Sequence, residues 1–325
     1  MRNLSAPLGV QSSVATRPGS AQRAARQSAG SAVAVLLGAA AWGSTGTAAH
    51  FAPAGTGTAS IGAARIAIGG ALLLGIALVT AERRRAVRGL LSAGGRTRIA
   101  LVLAAAAVGG YQVFFFASVR MTGVAIGTVV AIGSAPVFTG ALTRLSGGPK
   151  LGLRWLVATS AAVAGCAVLV TAGKAAGADA AGITLAFAAG LCYAVYAVTA
   201  ARLISAGSPE TAVMGLLFGG AAVLLAPVLA ASSPGWVLSG RGVAVVGYLG
   251  VVTTAAAYLL YGRGLRALSA PVAVTLGLAE PVVAAILGLV VVGERLTPAG
   301  SIGLVLVGLA LATLVVPPPP DRSRR

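Results

Sequence analysis

The sequence predicts an all-α polytopic membrane protein: ten transmembrane helices laid out as two inverted five-helix repeats. Three observations carry this. Of the 325 residues, 57% are hydrophobic and only 9% charged, and mean hydropathy is +0.94. A water-facing surface would need roughly a quarter of the chain charged. Ten apolar runs are each long enough for the roughly 20 helical residues that cross a hydrocarbon core. The two halves of the chain resemble each other in order.

The runs are residues 31–49, 58–80, 99–117, 122–143, 153–173, 181–203, 211–231, 242–262, 269–291 and 297–316. Ala, Leu, Gly and Val fill them without strand-like alternation, so helices are expected rather than a barrel. The connections are short, the longest being "AERRRAVRGLLSAGGRTR" at 81–98. Residues 1–29, rich in Ser, Ala, Arg and Gly, read as a disordered basic tail. A signal peptide over 1–49 is disfavoured, because its basic part is too long and its removal spoils the repeat. Residues 30–173 form the first repeat and 180–316 the second. The closing 317–325, "PPPDRSRR" after Pro317, cannot continue a helix.

The net charge of +18 would suit nucleic acid, but the basic residues fall in clusters between apolar runs. No nucleic-acid partner is therefore expected, and the lipid bilayer is. With the N-terminus inside, the inner segments hold nineteen of the 24 Lys and Arg, while Arg120, Lys174, Arg241 and Arg295 lie outside and Arg65 within a span. Positive charge collects on the cytoplasmic side. The expected location is the cytoplasmic membrane, multi-pass, with both termini in the cytoplasm.

Three matches define the repeat. "GGALLL" at 69–74 meets "GGAAVLL" at 219–225, "YQVFFFASVRMTGVAIGT" at 111–128 meets "YLLYGRGLRALSAPVAVT" at 258–275, and "SAPVF" at 134–138 meets "AEPVV" at 279–283. Five spans per repeat is odd, so the second copy enters the membrane inverted. Such halves can open a central site to each face in turn.

Several segments resemble a known family: "WGSTGTAA", "AARIAIGGALLL" and "EPVVAAILGLVVVGERLTPAGSIGLVLVGLALATL". They are similar to EamA-type members of the drug/metabolite transporter superfamily. The resemblance covers nearly all of 30–316 and implies a ten-helix carrier of small metabolites, often an exporter. One departure is "TRLSGGPKLGLRW" at 143–155, where members often repeat a Gly-Glu. A role needing acidic residues at both related ends is not expected here.

Glu280 is the leading candidate for substrate or coupling-ion binding. A charged carboxylate at mid-bilayer costs about 2.5–3.5 kcal/mol on the insertion scale. It must face the bundle interior, pair with a cation or hold a proton. Pro281 leaves the Gly277 carbonyl without its helical donor, and Pro136 does the same to Ile132; with Pro271 these are the candidate helix breaks. Arg65 lies roughly 12 Å below the outer face and Glu280 about 14 Å below it, counting 1.5 Å per residue in a 30 Å core. They are expected to share the central cavity, paired or facing a zwitterionic or anionic substrate; outward snorkelling of Arg65 is the alternative.

Trp42, Tyr111, Gln112, Tyr193, Tyr196, Tyr258 and Tyr261 complete the candidate lining. Ser44, Thr45, Thr128, Ser134, Thr253, Thr254 and Thr275 are further polar residues within spans, each expected to bond its own backbone. Trp155 and Trp236 read as interface anchors, and Glu294 and Arg295 as anchors too, with an extracellular gate as the alternative. Cys166, Cys192 and the sole histidine, His50, have no ligand-like neighbours in sequence, so no metal site or cofactor is expected.

The expected function is secondary transport of a small metabolite, an amino-acid-like compound or a drug, as an exporter working by alternating access. Proton coupling is compatible with Glu280. A non-transporting regulatory or assembly subunit is the alternative. No nucleotide-binding pattern or catalytic constellation is present to suggest a pump or an enzyme. The oligomeric state is not legible.

Overall fold

The computed structural model describes residues 18–171, 179–293 and 297–315, and these are helical with short connections. Nine helices are long and apolar enough to cross a membrane among the described residues. In chain order the spans are Arg26–His50, Thr58–Leu78, Gly95–Val124, Ile126–Leu145, the shorter apolar Leu153–Leu169, Ala180–Ser205, Glu210–Ala231, Gly240–Gly264, Ala270–Val291 and Pro298–Val315. They are called spans one to ten below.

Two boundaries differ from expectation. Helix begins at Pro18, not near residue 30. Proline fits a first helical turn, and "AQRAARQ" is rich in good helix formers, so 18–29 extends span one. The remainder of the expected tail, 1–17, and the C-terminal tail 317–325 lie outside the described residues, as do Lys174, Glu294 and Arg295. Spans three and four join through Gly123, whose φ of 82° suits glycine.

Packing follows the repeat. Span two packs on span seven, and span five on span ten. Span one lies against spans eight and nine as span six lies against spans three and four. Exchanging the halves maps each of these contacts onto another. Spans five and ten meet closely: a Cβ on Gly165 would lie 3.0 Å from the Gly303 carbonyl oxygen, and one on Gly303 2.6 Å from that of Gly165. In lipid, where apolar attraction between helices is weak, such close approach supplies much of the association energy.

Large apolar side chains stay on the outside: Val102 is 66% exposed, Val223 72%, Val290 77% and Ile302 66%. That surface suits hydrocarbon rather than water. One end of the bundle, the basic face, carries helix Ala81–Ser92. The Thr80 side chain caps it by accepting from the Arg83 amide at 3.2 Å. Arg83 and Arg84 donate to the Ile76 and Leu78 carbonyls at 3.1 and 3.0 Å, satisfying the end of span two. Val87 and Leu90 are buried beneath.

A candidate transport site at the broken ninth span

Span nine is two helices, Ala270–Leu276 and Ala279–Leu287, joined by a tight turn at 277–278. Pro281 removes the N–H that would reach the Gly277 carbonyl. That carbonyl is nevertheless satisfied, which corrects the expectation that it would be free. The Glu280 amide donates to it at 2.9 Å, and the Leu278 amide to Thr275 O at 3.0 Å. The turn thus replaces two helical bonds by shorter-range ones. The Cys166 thiol, from span five, points at the Leu278 carbonyl at 3.8 Å, so this cysteine does more than fill space. Thr159 and Thr275 share a hydroxyl–hydroxyl bond of 3.0 Å across the same interface.

The other two proline candidates do not break helices. Pro136 lies inside the uninterrupted helix of span four, and Pro271 occupies the first turn of Ala270–Leu276, where proline is accommodated. The difference between Pro281 and Pro136 lies four residues back. Gly277 leaves room for the Tyr193 hydroxyl, which would sit 3.0 Å from a Cβ there. Ile132 fills the matching position.

Glu280 opens the second helix and is half-buried. Span one presses on its backbone at Gly43, where a Cβ would lie 2.6 Å from the Glu280 carbonyl oxygen. A close contact of the same kind, one helical turn away, occurs in the other half, where a Cβ on Gly190 would lie 2.7 Å from Ala131 O in span four. Arg65, on span two, is 9% exposed, and its Nε has no hydrogen-bond partner. Arg65 and Glu280 lie within electrostatic range of each other and of Tyr111 and Tyr258. They form no direct ion pair; among the described residues the one ion pair is Arg266 with Glu210 at 3.4 Å. The two charges therefore share a site without neutralising each other by contact.

An aromatic chain runs through the same centre. Tyr111 meets Tyr193 edge-on at 6.1 Å, and Tyr193 stacks on Tyr196 at 5.1 Å. Tyr196 meets Tyr258 at 6.3 Å. Trp42 lies 4.9 Å from Tyr258 and 5.4 Å from Tyr261. The Trp42 indole N–H is buried without a hydrogen-bond partner, and the buried Tyr193 and Tyr261 hydroxyls approach each other without forming a close hydrogen bond. Unpaired buried polar groups are costly, about 1–3 kcal/mol each, and are uncommon without a role. Here the indole, two phenols and the Arg65 guanidinium face one region beside a single carboxylate.

The structure thus gathers six of the seven lining candidates with Arg65 and Glu280. Gln112 is the exception. It lines a lateral groove between spans two, three and seven, away from the aromatic chain. Neighbouring residues on a helix point about 100° apart, so Gln112 cannot follow Tyr111 inward. Sequence reasoning also missed Phe218, whose ring is 3.9 Å from that of Tyr258; a phenylalanine within an apolar run carries no signal. Two wide-turned π segments, Val251–Ala256 and Gly288–Val292, were likewise unforeseen. In the first, the Thr253 and Thr254 hydroxyls both donate to Leu249 O, at 2.8 and 2.9 Å, just ahead of Tyr258. Of the tryptophans expected as anchors, Trp155 is packed inside, while Trp236 is half-buried in the short turn Pro234–Leu238. Trp155 is 9% exposed, and Trp236 donates to the Ser60 hydroxyl at 2.8 Å.

The profile of the EamA-like transporter family matches residues 30–171 and again 180–316. The chain belongs to that family. A relative, "Uncharacterized transporter YwfM" of Bacillus subtilis (strain 168), is 35% identical over 284 residues, spanning 87% of this chain and 93% of its own. A solved crystal structure superposes with a TM-score of 0.73 over 87% of this chain and 96% of its own, at 20% identity; that likeness concerns the fold alone. The doubled EamA match corresponds to the two five-helix halves. Family membership makes this a multi-pass membrane transporter, with a small molecule as its substrate.

Proposed function

We propose that this EamA-family protein is a secondary transporter that exports a small polar or amphipathic metabolite, amino-acid-like compound or drug by alternating access. It works in the cytoplasmic membrane with both termini, and hence the basic face, in the cytoplasm. The observation that supports this most is Arg65 and Glu280 held apart, beside the unsatisfied Trp42 indole N–H and the buried phenols, at the junction of two inverted halves. A guanidinium and a carboxylate at that spacing offer complementary ends for a zwitterion, and the rings offer faces to its body or to a cation. Glu280 is the one carboxylate well inside a span; Glu210 lies in the first turn of span seven. It is therefore the group available to carry a proton if transport is proton-coupled. The broken ninth span lets Glu280 shift with one half-helix while the other stays packed.

Flux in proteoliposomes, measured over a metabolite panel with wild type and Glu280→Gln, tests this. Substrate-specific flux that falls at least tenfold in the folded variant supports the reading. No flux for any compound, or flux unaffected by the substitution, would favour a non-transporting subunit.

A further inference from the structure

The lateral groove that takes Gln112 out of the central site has features of its own. It holds about 200 Å³ between spans two, three and seven, the liquid volume of about seven waters. Its walls are apolar: Val113 and Phe116 on one side, Leu225 and Val228 on the other. Val113 is 46% exposed and belongs to the lipid-facing surface, so the groove opens sideways, toward hydrocarbon. Only two lining side chains are polar. Gln112 is 4% exposed yet makes no hydrogen bond to any described residue. Arg120, at the mouth, is exposed and has neither hydrogen bond nor ion pair among the described residues. Its side chain leans toward the N-terminus of its helix, back over the turn that leads to Gln112. Eight residues separate the two, about 12 Å of rise.

Arg120 lies at the end opposite the basic face, where few cations occur. A planar fork of donors, a primary amide about two turns deeper and apolar walls open to lipid form a graded series. It matches the order of groups in a phospholipid: phosphate, ester carbonyls, acyl carbons. We infer that this groove binds a phospholipid of net negative charge in the leaflet away from the basic face. The phosphate sits on the Arg120 guanidinium, an ester carbonyl accepts from the Gln112 amide, and the first acyl carbons lie along Phe116, Val113, Leu225 and Val228. Arginine holds phosphate through two parallel bonds. A zwitterionic lipid brings its own cation to that phosphate and gains less. The Gln112 amide, which reaches the groove without a hydrogen bond to any described residue, gains a partner.

The full chain, purified in detergent, is titrated with phosphatidylglycerol, phosphatidylcholine or soluble glycerol phosphate. Bound adducts are counted by native mass spectrometry, and the unfolding midpoint is followed in parallel. Phosphatidylglycerol is expected to bind about tenfold more tightly than phosphatidylcholine, and both Arg120→Gln and the volume-matched Gln112→Met are expected to weaken it about threefold to tenfold. Arg88→Gln, on the basic face, is expected to leave that preference in place. A variant that unfolds early in phosphatidylcholine is replaced by Arg120→Lys, which keeps the charge and loses the fork, and is expected to fall between the two. Three results would overturn the inference. They are equal binding of the two lipids, an affinity for phosphatidylglycerol that survives Arg120→Gln or Gln112→Met undiminished, and equal protection by glycerol phosphate, which would make this a soluble-anion site.

Discussion

The two halves of the molecule share a scaffold but differ in chemistry. By the sequence matches, Arg65 corresponds to Gly215 and Glu280 to Ala135. Gly215 packs against span two, where a Cβ would lie 2.9 Å from Leu73 O, and Ala135 is fully buried. Where one half carries a charge, the other carries the smallest side chains available. Backbone contacts are of the same kind: Gly43 of span one meets a carbonyl oxygen of span nine, and Gly190 of span six one of span four, at nearly the same spacing. The comparison teaches that duplication supplies the geometry for motion twice, while the ligand-facing charges need be supplied once. A single ionisable pair is also the cheaper arrangement, since each charge at mid-bilayer costs about 2.5–3.5 kcal/mol.

That asymmetry can be broken from either side. The largest effect is expected from Glu280→Ala, which makes span nine match span four. Transport should fall by at least two orders of magnitude while the unfolding midpoint holds, as measured by flux and thermal denaturation in parallel. The reciprocal change, Ala135→Glu, places a second carboxylate where no cation or cavity receives it. It should destabilise the fold by about 2.5–3.5 kcal/mol, read from the shift in unfolding midpoint. Unchanged stability would mean that span four has a wet face as well.

Smaller effects sharpen the comparison. Gly43→Ala and Gly190→Ala each force a methyl against a carbonyl oxygen, and overpacking of this kind costs about 1–3 kcal/mol. The two losses should agree within about 0.5 kcal/mol if the halves are mechanically equivalent, and they should add in the double variant because the two glycines press on different spans. Smallest is Trp42→Phe. The indole N–H has no partner, so stability should change by less than about 1 kcal/mol while flux falls severalfold. A large stability loss there would show that the ring, rather than its N–H, is what matters.

Much of the fold was legible in sequence because a bilayer imposes one strong rule: long apolar helices with every backbone bond satisfied internally. The spans and the doubled order followed from it. Glu280 and Arg65 stood out for the same reason, as charges where charge is expensive. The aromatic residues were half legible, because Tyr111, Tyr193, Tyr196, Tyr258 and Tyr261 carry a hydroxyl that marks them, whereas Phe218 does not. What failed depended on rotation about a helix or on one neighbour. Gln112 sits one residue from Tyr111 and faces another way. Pro136 and Pro281 look alike until Ile132 and Gly277 are compared. The start of span one was misplaced because Arg and Gln favour helix as readily as they favour water.

The claim on which the account rests is that Glu280 lies in a space reached by water from both faces in turn. Val283→Cys, one turn from Glu280 on the same half-helix, in a chain whose Cys166 and Cys192 are replaced by serine, can be challenged with a membrane-impermeant thiol reagent from each side of oriented vesicles. The account predicts modification from both sides, slowed from both by a transported solute. Modification only by lipid-soluble reagents, or from one side under every condition, would contradict it.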